Sequence, residues 1–217
     1  MNSFSNIPLN DIKGVLLDLD NTLYAYDPCH KAASTKCREI AETEFGISPD
    51  VFTSSLKAAR EQIHQQLKGQ AASHSRLLYF HQQIENLSGK SHPSYALQME
   101  KIYWETFLSH MHLTEEAETF LKSLRIAKLK TCLVTDLTTQ IQMQKWLHLK
   151  LGSYLDFMLT SEEAGIEKPS AQIFHLALAK LNLKADEVIM IGDNSDKDIK
   201  GAEQLGIKAY LIEASES

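Results

Sequence analysis

The 217-residue sequence offers no disulfide framework, no zinc spacing and no membrane span. Its three cysteines, Cys29, Cys37 and Cys132, are odd in number and form no CxxC or Cys/His pattern, so buried, reduced thiols are expected. No apolar run approaches the roughly 18 residues that a membrane-spanning helix needs. Met1 to Pro8 has neither a basic n-region nor an apolar h-region, so a secretory leader is not expected and a cytoplasmic setting is. Positive charge is in deficit, with 22 Lys and Arg against 28 Asp and Glu, a formal −6. That leaves no broad basic field of the kind non-specific nucleic-acid binding uses, and neither nucleic acid nor membrane is an expected partner. Glycine and proline are few, 9 and 5, while 43% of residues are hydrophobic, which excludes fibrous and disordered chains.

A buried core is therefore expected, and the apolar pattern says of what kind. Lys13 to Asp18 is a short apolar run suited to a strand covered on both faces. From about Tyr24 to Met111 strand signals are almost absent. Ser48-Pro49 opens a helix and Gly69 stops it, and further helices are expected over 31–45, 75–87 and 94–109. From Thr114 onward short strands at 130–135, 157–160, 188–192 and 207–212 alternate with helices at 115–127, 138–149, 170–182 and 196–205. Such alternation predicts an α/β fold: a three-layer, doubly wound parallel sheet of Rossmann-like form. The helical block reads as an insertion, with a core of residues 1–23 and 111–217 and an all-helical cap of 24–110.

In such sheets ligands bind beyond the carboxyl ends of the strands. The polar residues there are Asp18-Leu19-Asp20-Asn21-Thr22-Leu23, Thr135-Asp136, and Gly192-Asp193 running on to Asp198, with Lys168-Pro169 before a helix. Each piece alone fits a turn, a cap or a solvated loop. Their joint occurrence, in this order and each at a strand end or helix start, points to one site. Four carboxylates converging on one place would repel one another severely, so either a divalent cation and a lysine sit among them or some are protonated and the site is inert.

These four segments resemble the ordered motifs of the haloacid dehalogenase superfamily, over about residues 13–212. The position of the helical block resembles phosphatase-type members whose cap is inserted after the first motif. The resemblance implies a phosphoric monoester hydrolase that forms an aspartyl phosphate. It implies Asp18 as nucleophile and Asp20 as acid, then base. It places Mg2+ on Asp18, the backbone carbonyl of Asp20 and Asp193, with Asp198 as a further or outer acid. Thr135 would bond the transferring phosphoryl group, and Lys168 would offset its charge and that of the carboxylates. The implied partner is a small phosphorylated metabolite; the pattern carries no signal for an oligomeric state.

Asp20 separates this chain from relatives that cleave carbon–halogen or carbon–phosphorus bonds, which lack an acid there. A sugar phosphomutase keeps both acids and is the alternative; a non-catalytic binding protein on the same fold is a more distant one. Asp136 departs from the Asn, Ser or Gly common after the second motif's Thr. It is expected to face a backbone amide or cap helix 138–149, with contact to a polar part of the substrate as the alternative. Substrate choice is expected to fall to the cap. Asn21, Tyr24, Arg76 and Asp136 are candidate substrate contacts, while Tyr103, Trp104 and Phe107 read as cap core and the cap histidines as surface or satisfied residues. Residues 24–110 hold nine acids and nine bases, so the whole −6 lies in the remainder.

Overall fold

A computed structural model describes residues 3–213. Five strands, β1 (Gly14–Leu17), β2 (Lys130–Thr135), β3 (Phe157–Thr160), β4 (Val188–Gly192) and β5 (Lys208–Leu211), form one parallel sheet in the order β3-β2-β1-β4-β5. β1 is central and buried at every position, which is why it reads as an unbroken apolar run and not as an alternation. Leu17 pairs with Leu133 on one side and Ile191 on the other. From β1 the order runs outward through β2 to β3, then resumes on the opposite side with β4 and β5. The end of β1 is thus the point where the winding reverses, the usual place for a ligand in such sheets.

The helices are α1 (Tyr26–Phe45), α2 (Pro49–Gln66), α3 (Arg76–Ser88), α4 (Pro93–Ser109), α5 (Glu115–Ile126), α6 (Thr139–His148), α7 (Ser161–Ala164), α8 (Ala171–Leu181) and α9 (Gly201–Glu203). Thr114 caps α5 through its hydroxyl on the Ala117 amide at 3.2 Å, and Glu115, Glu116 and Glu118 complement the positive end of the helix dipole. Ile173, Phe174, Ala177 and Leu181 of α8 join Leu16, Cys132, Val134 and Met190 of the sheet in one buried cluster.

The described chain divides into two compact units, Met1–Tyr26 with His112–Ser217, and Asp27–Met111. The first holds the sheet. The second is helical throughout and is the inserted cap, α1 to α4. Phe80, Met99, Tyr103 and Phe107 are almost fully buried in it. Gln83, fully buried, satisfies its amide by donating to Phe52 O and Ser55 Oγ at 3.0 Å and accepting from Tyr95 at 2.8 Å. All three cysteines are buried and unbridged.

Besides the short α7, which was not expected, two helices differ from expectation. α1 begins at Tyr26 and not at 31, because Asn21 Oδ1 accepts from the Tyr26 amide at 3.0 Å and Pro28 lies in the first turn, where an amide hydrogen has no helical partner. The helix expected over 196–205 is a π-helical turn, Ser195–Lys200, followed by α9. Asn194 Oδ1 accepts from the Asp196 and Lys197 amides at 3.0 and 2.9 Å, and the Asn194 amide is held by Asp198 at 3.1 Å, which fixes a wider turn. No described helix is long and apolar enough to cross a membrane.

Candidate active site

β1 delivers Asp18 to the carboxyl edge of the sheet, its amide still in the ladder on Ile191 O at 2.9 Å. β2 ends at Thr135, and β4 ends at Gly192, just before Asp193. One oxygen each of Asp18, Asp193 and Asp198 lie within 4.8 Å of one another. Lys168 Nζ binds this group from the protein side, donating to Asp18 Oδ1 at 2.5 Å, Asp198 Oδ1 at 2.7 Å and Val134 O at 2.9 Å. Thr22 Oγ1 lies 3.1 Å from Asp18 Oδ2 and 3.3 Å from Asp193 Oδ1. Asp198 is therefore a member of the cluster. Gly192 is required for it, because a Cβ there would collide with the Asp198 carboxylate.

The charges do not balance. Burial pushes the Asp18 carboxyl up to about 8, against the pull of Lys168 and with the help of Asp198, Asp193 and Asp20. Asp193 is raised by burial and by Asp198. Burial opposes the charge on Lys168, but Asp18, Asp198 and Asp136 hold its pKa well above the ordinary lysine value. Three clustered carboxylates with one ammonium, bonded to two of them, are an acceptor-rich set short of positive charge. That is a donor set suited to Mg2+, which favours a few carboxylates and keeps its remaining positions for water or phosphate oxygens.

Asp20 is held by Lys145, which sequence reasoning did not single out, and by Tyr24, which it read as a candidate substrate contact. Lys145 of α6, wholly buried, donates from Nζ to both Asp20 oxygens at 2.7 and 2.9 Å. Tyr24 donates to Asp20 Oδ1. The same ammonium lies 5.7 and 6.0 Å from the Tyr24 and Tyr26 ring centroids. The available signal was weak: in Thr139–His148 a lysine on a helix with few apolar residues looks like any solvated charge.

Thr135 Oγ1 accepts from Gln142 Nε2 at 2.8 Å, and the same amide reaches Asp136 O at 2.6 Å. Asp136 faces a backbone amide, that of Lys168, at 3.1 Å, and does not cap α6, where Thr138 is the N-cap residue. Its other oxygen accepts from Lys197 Nζ at 2.7 Å, so its charge is paired. The remaining candidate contacts lie apart in role. Asn21, with φ of 63°, caps α1. Tyr24 is 1% exposed, so it presents Asp20 with a hydroxyl and offers no open face for stacking. Arg76 belongs to the cap unit, its guanidinium 5.3, 5.0 and 5.8 Å from the ring centroids of Tyr79, Tyr103 and Trp104.

A family model for haloacid dehalogenase-like hydrolases matches residues 12–206, the span that carries every one of these core residues. The chain belongs to that family. It is similar to the ribulose-1,5-bisphosphate 5-phosphatase of Halopiger xanaduensis, 39% identical over 93% of this chain and 85% of the relative. It is also similar to the glyceraldehyde 3-phosphate phosphatase of Methanocaldococcus jannaschii, 29% identical over the same shares of each chain. Its fold matches a 2-haloacid dehalogenase of Pseudomonas syringae with a TM-score of 0.73 at 24% identity, covering 92% of this chain and 86% of that one. This haloacid dehalogenase-like hydrolase is a phosphatase, a phosphoric monoester hydrolase.

Proposed function

We propose that this hydrolase is a Mg2+-dependent phosphatase acting on a small sugar phosphate through an aspartyl phosphate on Asp18. The observation that carries the reading is the Asp18 carboxylate at the end of β1, bonded to Lys168 at 2.5 Å, within reach of Asp193 and Asp198 and two residues before Asp20. An Asp18 oxygen attacks phosphorus as the bond to the leaving oxygen breaks, and Asp20 supplies that oxygen with a proton. Asp20, now a carboxylate, takes a proton from water as the water oxygen attacks phosphorus. The Asp18–phosphorus bond breaks and inorganic phosphate leaves.

Lys145 and Tyr24 fix where Asp20 points, so the acid meets the leaving oxygen without searching rotamers. Lys168 and the Thr135 hydroxyl would face the phosphoryl oxygens, where fixed donors act most strongly as charge develops. Asp18, the Asp20 carbonyl and Asp193 would hold Mg2+, with Asp198 beside them; the ion when bound neutralises phosphoryl oxygen charge. Similarity to a relative named for a pentose bisphosphate supports a sugar phosphate substrate and puts ribulose 1,5-bisphosphate first among those to test.

The test is phosphate release from a panel of sugar phosphates and an aryl phosphate, with Mg2+ and with EDTA. Mg2+-dependent release that Asp18→Asn abolishes is the expected result. Activity unchanged in EDTA, or retained in Asp18→Asn, would sink the reading. Isomerised sugar phosphate in place of free phosphate would make it a mutase.

A further inference from the structure

The cap holds a cavity of about 500 Å³ lined only by residues of that unit. That volume suits a small metabolite. Five of its lining residues are Lys31, Arg38, Lys57, Arg60 and Arg76, and no Asp or Glu is among the rest. The cap as a whole carries as many acids as bases, so the cavity takes more than half its cations and none of its acids. Among the described residues, Lys31, Arg38, Lys57 and Arg60 are in no ion pair.

Each helix supplies its cations from one face. Lys31 and Arg38 are seven apart on α1, two turns along the same side, and Lys57 and Arg60 are three apart on α2. The floor is apolar and aromatic, with Phe52, Tyr79, Phe80 and Tyr103 all buried. Arg76 is held in place by its rings and by donating to His74 O at 2.9 Å. Burial, then Arg76 and Arg60, push the His30 imidazole down to about 4, as expected where positive potential is concentrated. A solvated face would scatter such charges among acids; here they converge on a concave apolar floor.

We propose that this cavity binds a phosphate group carried on a small carbon skeleton, the skeleton on the aromatic floor and the phosphate among the cations. Cations that meet no carboxylate are satisfied by an anion, and a phosphate offers several acceptor oxygens to guanidinium forks and ammonium groups at once. Two sources share this chemistry: a phosphorylated metabolite, or inorganic phosphate alone. The affinity of the cavity for phosphate does not rest on the phosphatase reading.

The test is calorimetric titration of the full chain in its Asp18→Asn form, which binds without turnover, and of the same chain with Lys57→Gln and Arg60→Gln added. The probes are a sugar bisphosphate, the matching monophosphate and inorganic phosphate. Both added substitutions are at exposed positions, and circular dichroism checks the fold. Loss of two charge-assisted contacts should weaken bisphosphate binding at least about 10-fold. Arg60→Lys should recover part of it, since the charge is kept.

If the carbon skeleton contributes, the sugar phosphates bind more tightly than inorganic phosphate. The monophosphate then binds twice per chain, at the active site and in the cavity, and the two substitutions remove one event. In the otherwise unmodified enzyme the two substitutions leave kcat and KM for an aryl monophosphate within about 2-fold. Equal binding of all three probes with and without the substitutions overturns the proposal. Absence of any hydrolysis by the unmodified chain would fail the phosphatase reading while the titration still decides the cavity.

Discussion

At the carboxyl edge of the sheet, Asp18, Asp193 and Asp198 cluster, with Lys168 bonded to the first and last; in the cap cavity, five Lys and Arg side chains line a wall that holds no acid. Both regions are out of charge balance, in opposite directions. The first is buried, so its imbalance shows as carboxyl groups pushed upward in pKa, Asp18 to about 8. The second is open at its rim, where Lys31, Arg38, Lys57 and Arg60 are exposed, and its imbalance shows at the half-buried His30, pushed down to about 4 by burial and then by Arg76 and Arg60. A chain with a formal charge of −6 thus carries two opposite imbalances, an acidic cluster in the core unit and, in a cap of zero net charge, cations gathered at one cavity.

The largest expected effect comes from breaking the acidic end at its centre. Asp18→Asn should lower kcat by at least about 10³-fold with Tm little changed, checked by phosphate release and thermal unfolding. Lys168→Met should cost about 10²–10³-fold, because it removes the donor that Asp18 and Asp198 share and that, on the proposed reading, would face the phosphoryl oxygens. Lys145→Met tests orientation of the acid. It should lower kcat about 10-fold with KM nearly unchanged. It should also lower stability by roughly 1–3 kcal/mol, less than for a fully buried pair because the Asp20 side chain is 31% exposed. Gly192→Ala would push the Asp198 carboxylate out of the cluster and should destabilise by about 1–3 kcal/mol, read from Tm.

The cap gives the smallest effect. His30 is pushed below its ordinary 6.5 to about 4 by burial and by Arg76 and Arg60, with Asp27 opposing and Tyr103 hydrogen-bonded at 2.6 Å. Between those values the unfolded chain binds the proton and the folded chain does not, so stability falls as pH drops from about 6.5 to about 4. His30→Gln should flatten that part of a stability–pH curve, measured by denaturant unfolding. An unchanged slope would mean that the cavity field is weaker than its cations imply.

The strand ends were legible in the sequence because buried parallel strands are short apolar runs, and a polar residue that breaks such a run marks the edge where ligands bind. Asp18, Thr135 and Asp193 were found this way. Lys145 was not, since nothing local separates a lysine aimed at Asp20 from a solvated one; only the packing of α6 beside the end of β1 makes the contact. The same limit applied to Tyr24, whose open or buried state is a tertiary property. The π-helical turn was missed because it depends on where the Asn194 and Asp198 side chains bond, and helical periodicity is blind to that. The cap cavity was legible only at Arg76, because its other cations come from helices that meet in space and not in sequence.

The central claim is the covalent phosphoryl on Asp18, and Asp20→Asn exposes it. An aryl phosphate with an acidic phenol leaves without protonation, so the first step survives while the second lacks its base. Rapid mixing of this variant with such a substrate and Mg2+ should give a burst of about one phenol per chain. Acid quench and peptide mass analysis should then place one phosphoryl group on the Asp18 segment. Steady phenol release without a burst, and an unmodified Asp18 peptide, would contradict the account.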